Sequence, residues 1–262
     1  MKQKIYQIDA FANKVFTGNP AAVCPLKEWL SNDILQSIAM ENNLAETAFY
    51  VKKDSFYELR WFTPATEVDL CGHATLAAAY TLFNLEGHND DIIYFHSPRS
   101  GRLTVKREGG FLTLNFPTDS FVETELSSEL TDGFNLKPQK AFKGKTDYLL
   151  IFRNESEIKD IIPNFDIISK VEARGIIVSA KGDEVDFVSR FFAPQVGVNE
   201  DPVTGSAHTT LTPYWAAQLG KDEMTAIQLS KRKGYLKCKY LGDRVEISGQ
   251  GKLYMIGEIH LD

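Results

Sequence analysis

The sequence predicts an α+β protein built of two similar halves. Three observations carry this: a length of 262 residues, near where one core tends to divide in two; an internal duplication; and the same order of helix and strand signals in each copy. The composition is that of a folded chain, 43% hydrophobic and 24% charged. In the duplication Arg60, Phe62 and Pro64 align with Arg190, Phe192 and Pro194, an offset of 130. Gly72 and Gly205 lie 133 apart, so the second loop is three residues longer.

In chain order, Phe16-Thr-Gly18 and Asn19-Pro20 mark a turn. Ser31 is an N-cap for a helix carrying Ile34, Leu35 and Ile38 on one face, and the helix leads into the strand Thr47-Ala-Phe-Tyr-Val. The β-rich stretch from Leu59 turns at Pro64, and Gly72 opens a helix of small residues running to about Asn84. Strands follow at Gly101–Val105 and Phe111–Phe116. Polar residues from Pro117 to Glu129 mark a boundary, dividing the chain into 1–117 and 118–250. The second half repeats the order: helical stretches at Glu157 and Phe165, a strand from Gly175, the Arg190 segment, the loop at Gly205 and a hairpin after Gly234. The alternating tail 251–262 reads as a strand that could return to either half.

The 29 basic against 35 acidic residues give a net charge of −6, which argues against a phosphate-backbone footprint, so nucleic acid is not an expected partner. Apolar runs are too short to span a membrane and the N-terminus lacks a signal-peptide core, so the expected location is cytoplasmic. Cys24, Cys71 and Cys238 are widely spaced, which suggests neither a disulfide framework nor a metal site. No dinucleotide or phosphate loop is present, and no cofactor is expected.

The candidate chemistry lies in two glycine loops, Cys71-Gly72-His73-Ala74-Thr75 and Asp201-Pro-Val-Thr-Gly205-Ser206-Ala207-His208. Glycine and small residues at a helix start leave backbone N–H groups open to a carboxylate. Glu46, at the entrance of a buried strand, is a candidate base whose pKa would rise on desolvation. His73, His208 and Asp201 supply further acid/base groups beside the loops. A Ser206–His208–Asp201 triad is disfavoured, because Ser206 lacks the nucleophile elbow and residues two apart on a helix do not face each other.

At these residues the chain resembles the phenazine-biosynthesis PhzF-like family, whose fold is similar to that of diaminopimelate epimerase. The resemblance rests on Asp9-Ala-Phe, Phe16-Thr-Gly-Asn-Pro-Ala-Ala-Val, Asn43-Leu-Ala-Glu-Thr-Ala-Phe, Arg60-Trp-Phe-Thr-Pro, Glu67-Val-Asp-Leu-Cys-Gly-His-Ala-Thr and Asp201-Pro-Val-Thr-Gly-Ser-Ala-His. It implies two pseudo-symmetric domains, each a curved, mostly antiparallel sheet around a central helix, with the active site between them. It also implies a homodimer, and a cofactor-independent isomerase that shifts a proton within a small, cyclic carboxylic acid. Glu46 would be the acid/base, His73 and Asp201 its assistants, and Gly72, Gly205, Ser206 and His208 part of the substrate cradle. The epimerases use two cysteines; here Cys71 stands like the first and Pro202 at the second, which argues against a two-thiol racemase. A racemase using Glu46 and Asp201, or a non-catalytic binder of carboxylated metabolites, are the alternatives.

Overall fold

The computed structural model describes residues 2–261. The chain forms two units, residues 1–115 with 248–262, and residues 116–247.

In the first unit β1 (Lys2–Ala10) pairs antiparallel with β2 (Asn19–Leu26). Helix α1 (Asn32–Asn42) then connects β2 to its parallel neighbour β3 (Glu46–Lys52). The Ser31 hydroxyl accepts from the Ile34 N–H and starts α1; Asn43, in the left-handed region, ends it. Leu35, Ile38 and Ala39 form its buried face, whereas Ile34 is exposed. At about 100° per residue, Ile34 lies about 40° beyond Ile38 on the side away from Leu35 and Ala39, at the rim of the stripe. Strand β4 (Tyr57–Phe62) pairs with β3 and with the short β5 (Glu67–Val68). After α2 (Gly72–Asn84) come β6 (Ile92–Ser97), parallel to β4, then β7 (Gly101–Glu108) and β8 (Phe111–Pro117), each antiparallel to its predecessor. Residues from His73 to Phe83 of α2 are buried except Tyr80, the signature of a helix enclosed by its sheet rather than laid on its surface.

The second unit repeats this order. Strand β9 (Val122–Thr124) and α3 (Ser128–Asp132) precede β10 (Lys140–Lys143), which pairs antiparallel with β9 and with β11 (Asp147–Ile151). Short helices α4 (Glu155–Asp160) and α5 (Phe165–Ile168) connect β11 to the parallel β12 (Gly175–Lys181), and β13 (Phe187–Phe192) pairs antiparallel with β12. Helix α6 (Ala207–Leu219) leads to β14 (Glu223–Gln228), parallel to β13, then β15 (Gly234–Tyr240) and β16 (Arg244–Gly249). Pro213 interrupts α6 without breaking it: Pro has no N–H for the Thr209 carbonyl, and the Asp119 N–H takes that place. The tail forms β17 (Gly251–His260), which pairs antiparallel with β1 and so belongs to the first unit.

The duplication is visible in detail. Arg60 grips Glu67 with Nε and Nη2 and lies over the Phe62 ring; Arg190 grips Glu200 in the same way and lies over Phe192. Glu67 and Glu200 are 133 apart, the offset of the two glycines, so each clasp pins the loop that ends at its helix. Thr75 Oγ1 donates to the Cys71 carbonyl at 2.6 Å, and His208 Nδ1 to the Thr204 carbonyl at 2.8 Å, again at matching positions.

Candidate active site

Glu46 opens β3, and Gly72 and His73 open α2. His73 Nε2 lies 3.1 Å from Glu46 Oε2, and the Glu46 side chain is 19% exposed with Oε2 itself buried. On the other edge of the ring, Nδ1 is 3.2 Å from Asn19 Nδ2 and 3.5 Å from Cys71 Sγ. Asn19 begins β2 after a tight turn in which Gly18 has φ +68; a side chain there would strike the Ala10 carbonyl, so only glycine fits. The Phe16 N–H, donating to the buried Asp9 carboxylate at 2.8 Å, secures that turn. Asn19 was missed by sequence reasoning although the Thr-Gly-Asn-Pro turn was visible, because its partner lies 54 residues away.

The electrostatics reverse one expectation. Burial by itself pushes the Glu46 carboxyl up, but the charge and hydrogen bond of His73 and the Cys71 thiol outweigh it, and the pKa ends below the ordinary 4.5. His73 moves the other way. Burial opposes its charge, yet Cys71 and Glu46 hold it well above 6.5. Burial and the Glu46 charge push Cys71 up to about 11, so it is a neutral thiol near pH 7 and Glu46 is the partner that keeps the imidazolium. A charged ring donates from Nδ1, and a 180° turn of the Asn19 amide presents oxygen there; with a neutral ring the amide nitrogen serves. Asn19 therefore matches His73 in either protonation state.

Glu46, Cys71 and His73 also form a group that could hold a metal ion, their donor atoms lying within 4.8 Å of one another. The ring, however, turns Nε2 to Glu46 and Nδ1 to Cys71, and the thiol keeps its proton. The arrangement suits an ion pair better than a tripod of ligands.

In the second unit Gly205 lies two residues before α6, and Ser206 is the N-cap position. Asp201 accepts from Thr204 Oγ1 at 2.5 Å, and Gln228 braces this loop by bonding the Asp201 carbonyl and both ends of Thr204. His208 is wholly buried against Phe187, and burial lowers its pKa to about 4. Its Nδ1–H closes the turn as Thr75 does in the first unit, so the ring ties the loop to the start of α6, while Nε2 is buried without a hydrogen bond among the described residues. The equivalent of His73 is Ser206, and its hydroxyl is held by Arg174, a residue sequence reasoning passed over.

Both glycine-loop helices share a further property. The N-cap residues of α1, α3, α4 and α5 each accept a backbone N–H, but Cys71 and Ser206 make no side-chain cap bond. The first N–H groups of α2 and α6 are left without that partner.

Residues 8–257 match the family model described as phenazine biosynthesis-like protein. An uncharacterized isomerase of Pseudomonas aeruginosa is 48% identical over 261 residues, with full coverage of both chains. The crystal structure of a PhzF-family phenazine biosynthesis protein from Enterococcus faecalis superposes with a TM-score of 0.97 at 43% identity, again over both whole chains. A hydroxyproline epimerase from Agrobacterium vitis shares the fold alone, with a TM-score of 0.60 at 9% identity, covering 100% of this chain and 93% of that one. With a match that takes in nearly its whole length and both glycine loops, the chain belongs to the phenazine biosynthesis-like, PhzC-PhzF family.

Proposed function

We propose that the protein is a cofactor-independent isomerase that moves a proton within a small, cyclic carboxylic acid, with Glu46 as acid and base. The observation that carries this reading is the Glu46–His73 pair beside the uncapped start of α2. The ionised Glu46 takes a proton from a substrate carbon and becomes a neutral acid; the substrate is left as a dienolate. Open backbone N–H groups at the helix start stabilise that anion and the substrate carboxylate. Next to the His73 cation the neutral acid is a strong donor, so it returns the proton to a second carbon, and atoms and charge balance. A depressed Glu46 pKa makes abstraction harder and return easier, which places the burden of the first step on stabilising the dienolate. In the second unit, Ser206 and Gly205 beside the start of α6 are the carboxylate-binding candidates of this reading, and Asp201 in the same loop is its candidate assisting group.

The relatives named as isomerases support the reaction class. Deuterium incorporation tests it: cyclic carboxylic acids are incubated with the protein in deuterated water and followed by NMR. Exchange is expected at a carbon-bound position, reduced about 10²-fold or more in Glu46→Gln, and unaffected by chelators. Undiminished exchange in Glu46→Gln refutes the role of that residue.

A further inference from the structure

Ser206 stands where a serine ordinarily caps a helix, yet it does not cap α6. Its Oγ instead accepts from Arg174 Nη2 at 3.0 Å. Arg174 is itself fixed: Nε donates to Asp147 Oδ1 at 2.9 Å, Nη2 also donates to Asp147 Oδ2, and the guanidinium lies 5.3 Å over the Phe191 ring. That stacking needs Gly175, since a Cβ there would meet the Phe191 ring at 2.4 Å. Asp147 is buried, while the Arg174 side chain remains 36% exposed, and Nη1 donates to no described residue.

A guanidinium only donates. With one Ser206 lone pair taken by Arg174, the hydroxyl keeps its proton for an acceptor; the Asp201 and Asp119 charges also act on Arg174, and no hydrogen bond joins either carboxylate to Ser206 among the described contacts. We infer that Arg174 is a positioning residue that fixes the Ser206 hydroxyl as a donor to a carboxylate and adds its own positive charge beside it. This rests on the proposed function for the presence of a carboxylate at Ser206, and it is tested through binding alone.

The probe is benzoate, with neutral benzamide as control, titrated by NMR into the full chain. Benzoate affinity should fall about tenfold or more in both Arg174→Gln and Ser206→Ala. The double variant should lose less than the product of the two, Arg174→Lys should recover part, and benzamide should respond equally in all. Because Arg174→Gln strands the buried Asp147, D147N/R174Q repeats the measurement with both charges removed. In the wild type, the Arg174 side-chain N–H resonances should shift with benzoate and not with benzamide. Independent, multiplying losses, native-like affinity in D147N/R174Q, silent Arg174 resonances or absent benzoate binding each overturn the inference. None of these bears on Glu46, whose proton transfer is judged by deuterium exchange.

Discussion

At the scale of single residues, the Glu46–His73 pair ties stability to pH in two opposite senses. The Glu46 carboxyl is depressed on folding, so its contribution is present above its unfolded value of 4.5 and is lost as pH falls through the folded value. His73 is raised, so its contribution is full below 6.5 and is lost as pH rises through a folded value well above that. Denaturant unfolding should therefore show the advantage of wild type over His73→Gln greatest between pH 4.5 and 6.5 and shrinking on the alkaline side. An advantage that grows with alkaline pH would contradict the assignment. In Glu46→Gln the ring loses one of the two partners that raise it and keeps Cys71. The His73 pKa, followed by NMR, should fall from its wild-type value, and an unchanged value would mean that Glu46 does not hold the charge.

At the scale of elements, the two Arg–Glu clasps are alike in form but not in redundancy. Glu67 has a second partner in Arg99, whereas among the described residues Glu200 is held by Arg190, which also donates to the Ile158 and Ile161 carbonyls at the end of α4. Arg190→Met should cost about 3–5 kcal/mol and Arg60→Met about 1–3, measured by chemical denaturation. Equal losses would show that neither the Arg99 contact to Glu67 nor the carbonyl contacts of Arg190 set the two clasps apart. His208 offers a second test at this scale. It is buried neutral with a pKa of about 4, so the unfolded chain binds a proton there that the native chain refuses, and stability falls as pH drops from 6.5 to 4. His208→Gln should remove this acid-side loss, and it should leave benzoate affinity unchanged if the ring is only a tie.

At the scale of the whole molecule, the chain leaves the first unit after β8 and returns to it as β17, so the last strand completes a sheet begun by the first. Truncation after Ile247 should expose the edge of β1 along its full length and abolish cooperative unfolding of the first unit, with the truncated chain aggregating. A truncated chain that keeps the wild-type Tm would mean that β17 adds nothing to that unit.

Much of this architecture is local in origin and was readable in the chain. The α1 cap at Ser31, the paired Arg-x-Phe-x-Pro segments, the helix starts at the glycine loops and the candidates Glu46 and His73 follow from short-range preferences and from one repeated pattern. Tertiary structure decided what depends on residues far apart in sequence. The sign of the Glu46 shift was set by a cation 27 positions away that outweighs desolvation. The hydroxyl of Ser206 was drawn from its helix by Arg174, 32 positions away, and His73 gained Asn19 from another strand. Strand pairing likewise sent the tail to β1, because the alternation of a strand specifies a buried face but not the neighbour that will cover its edge.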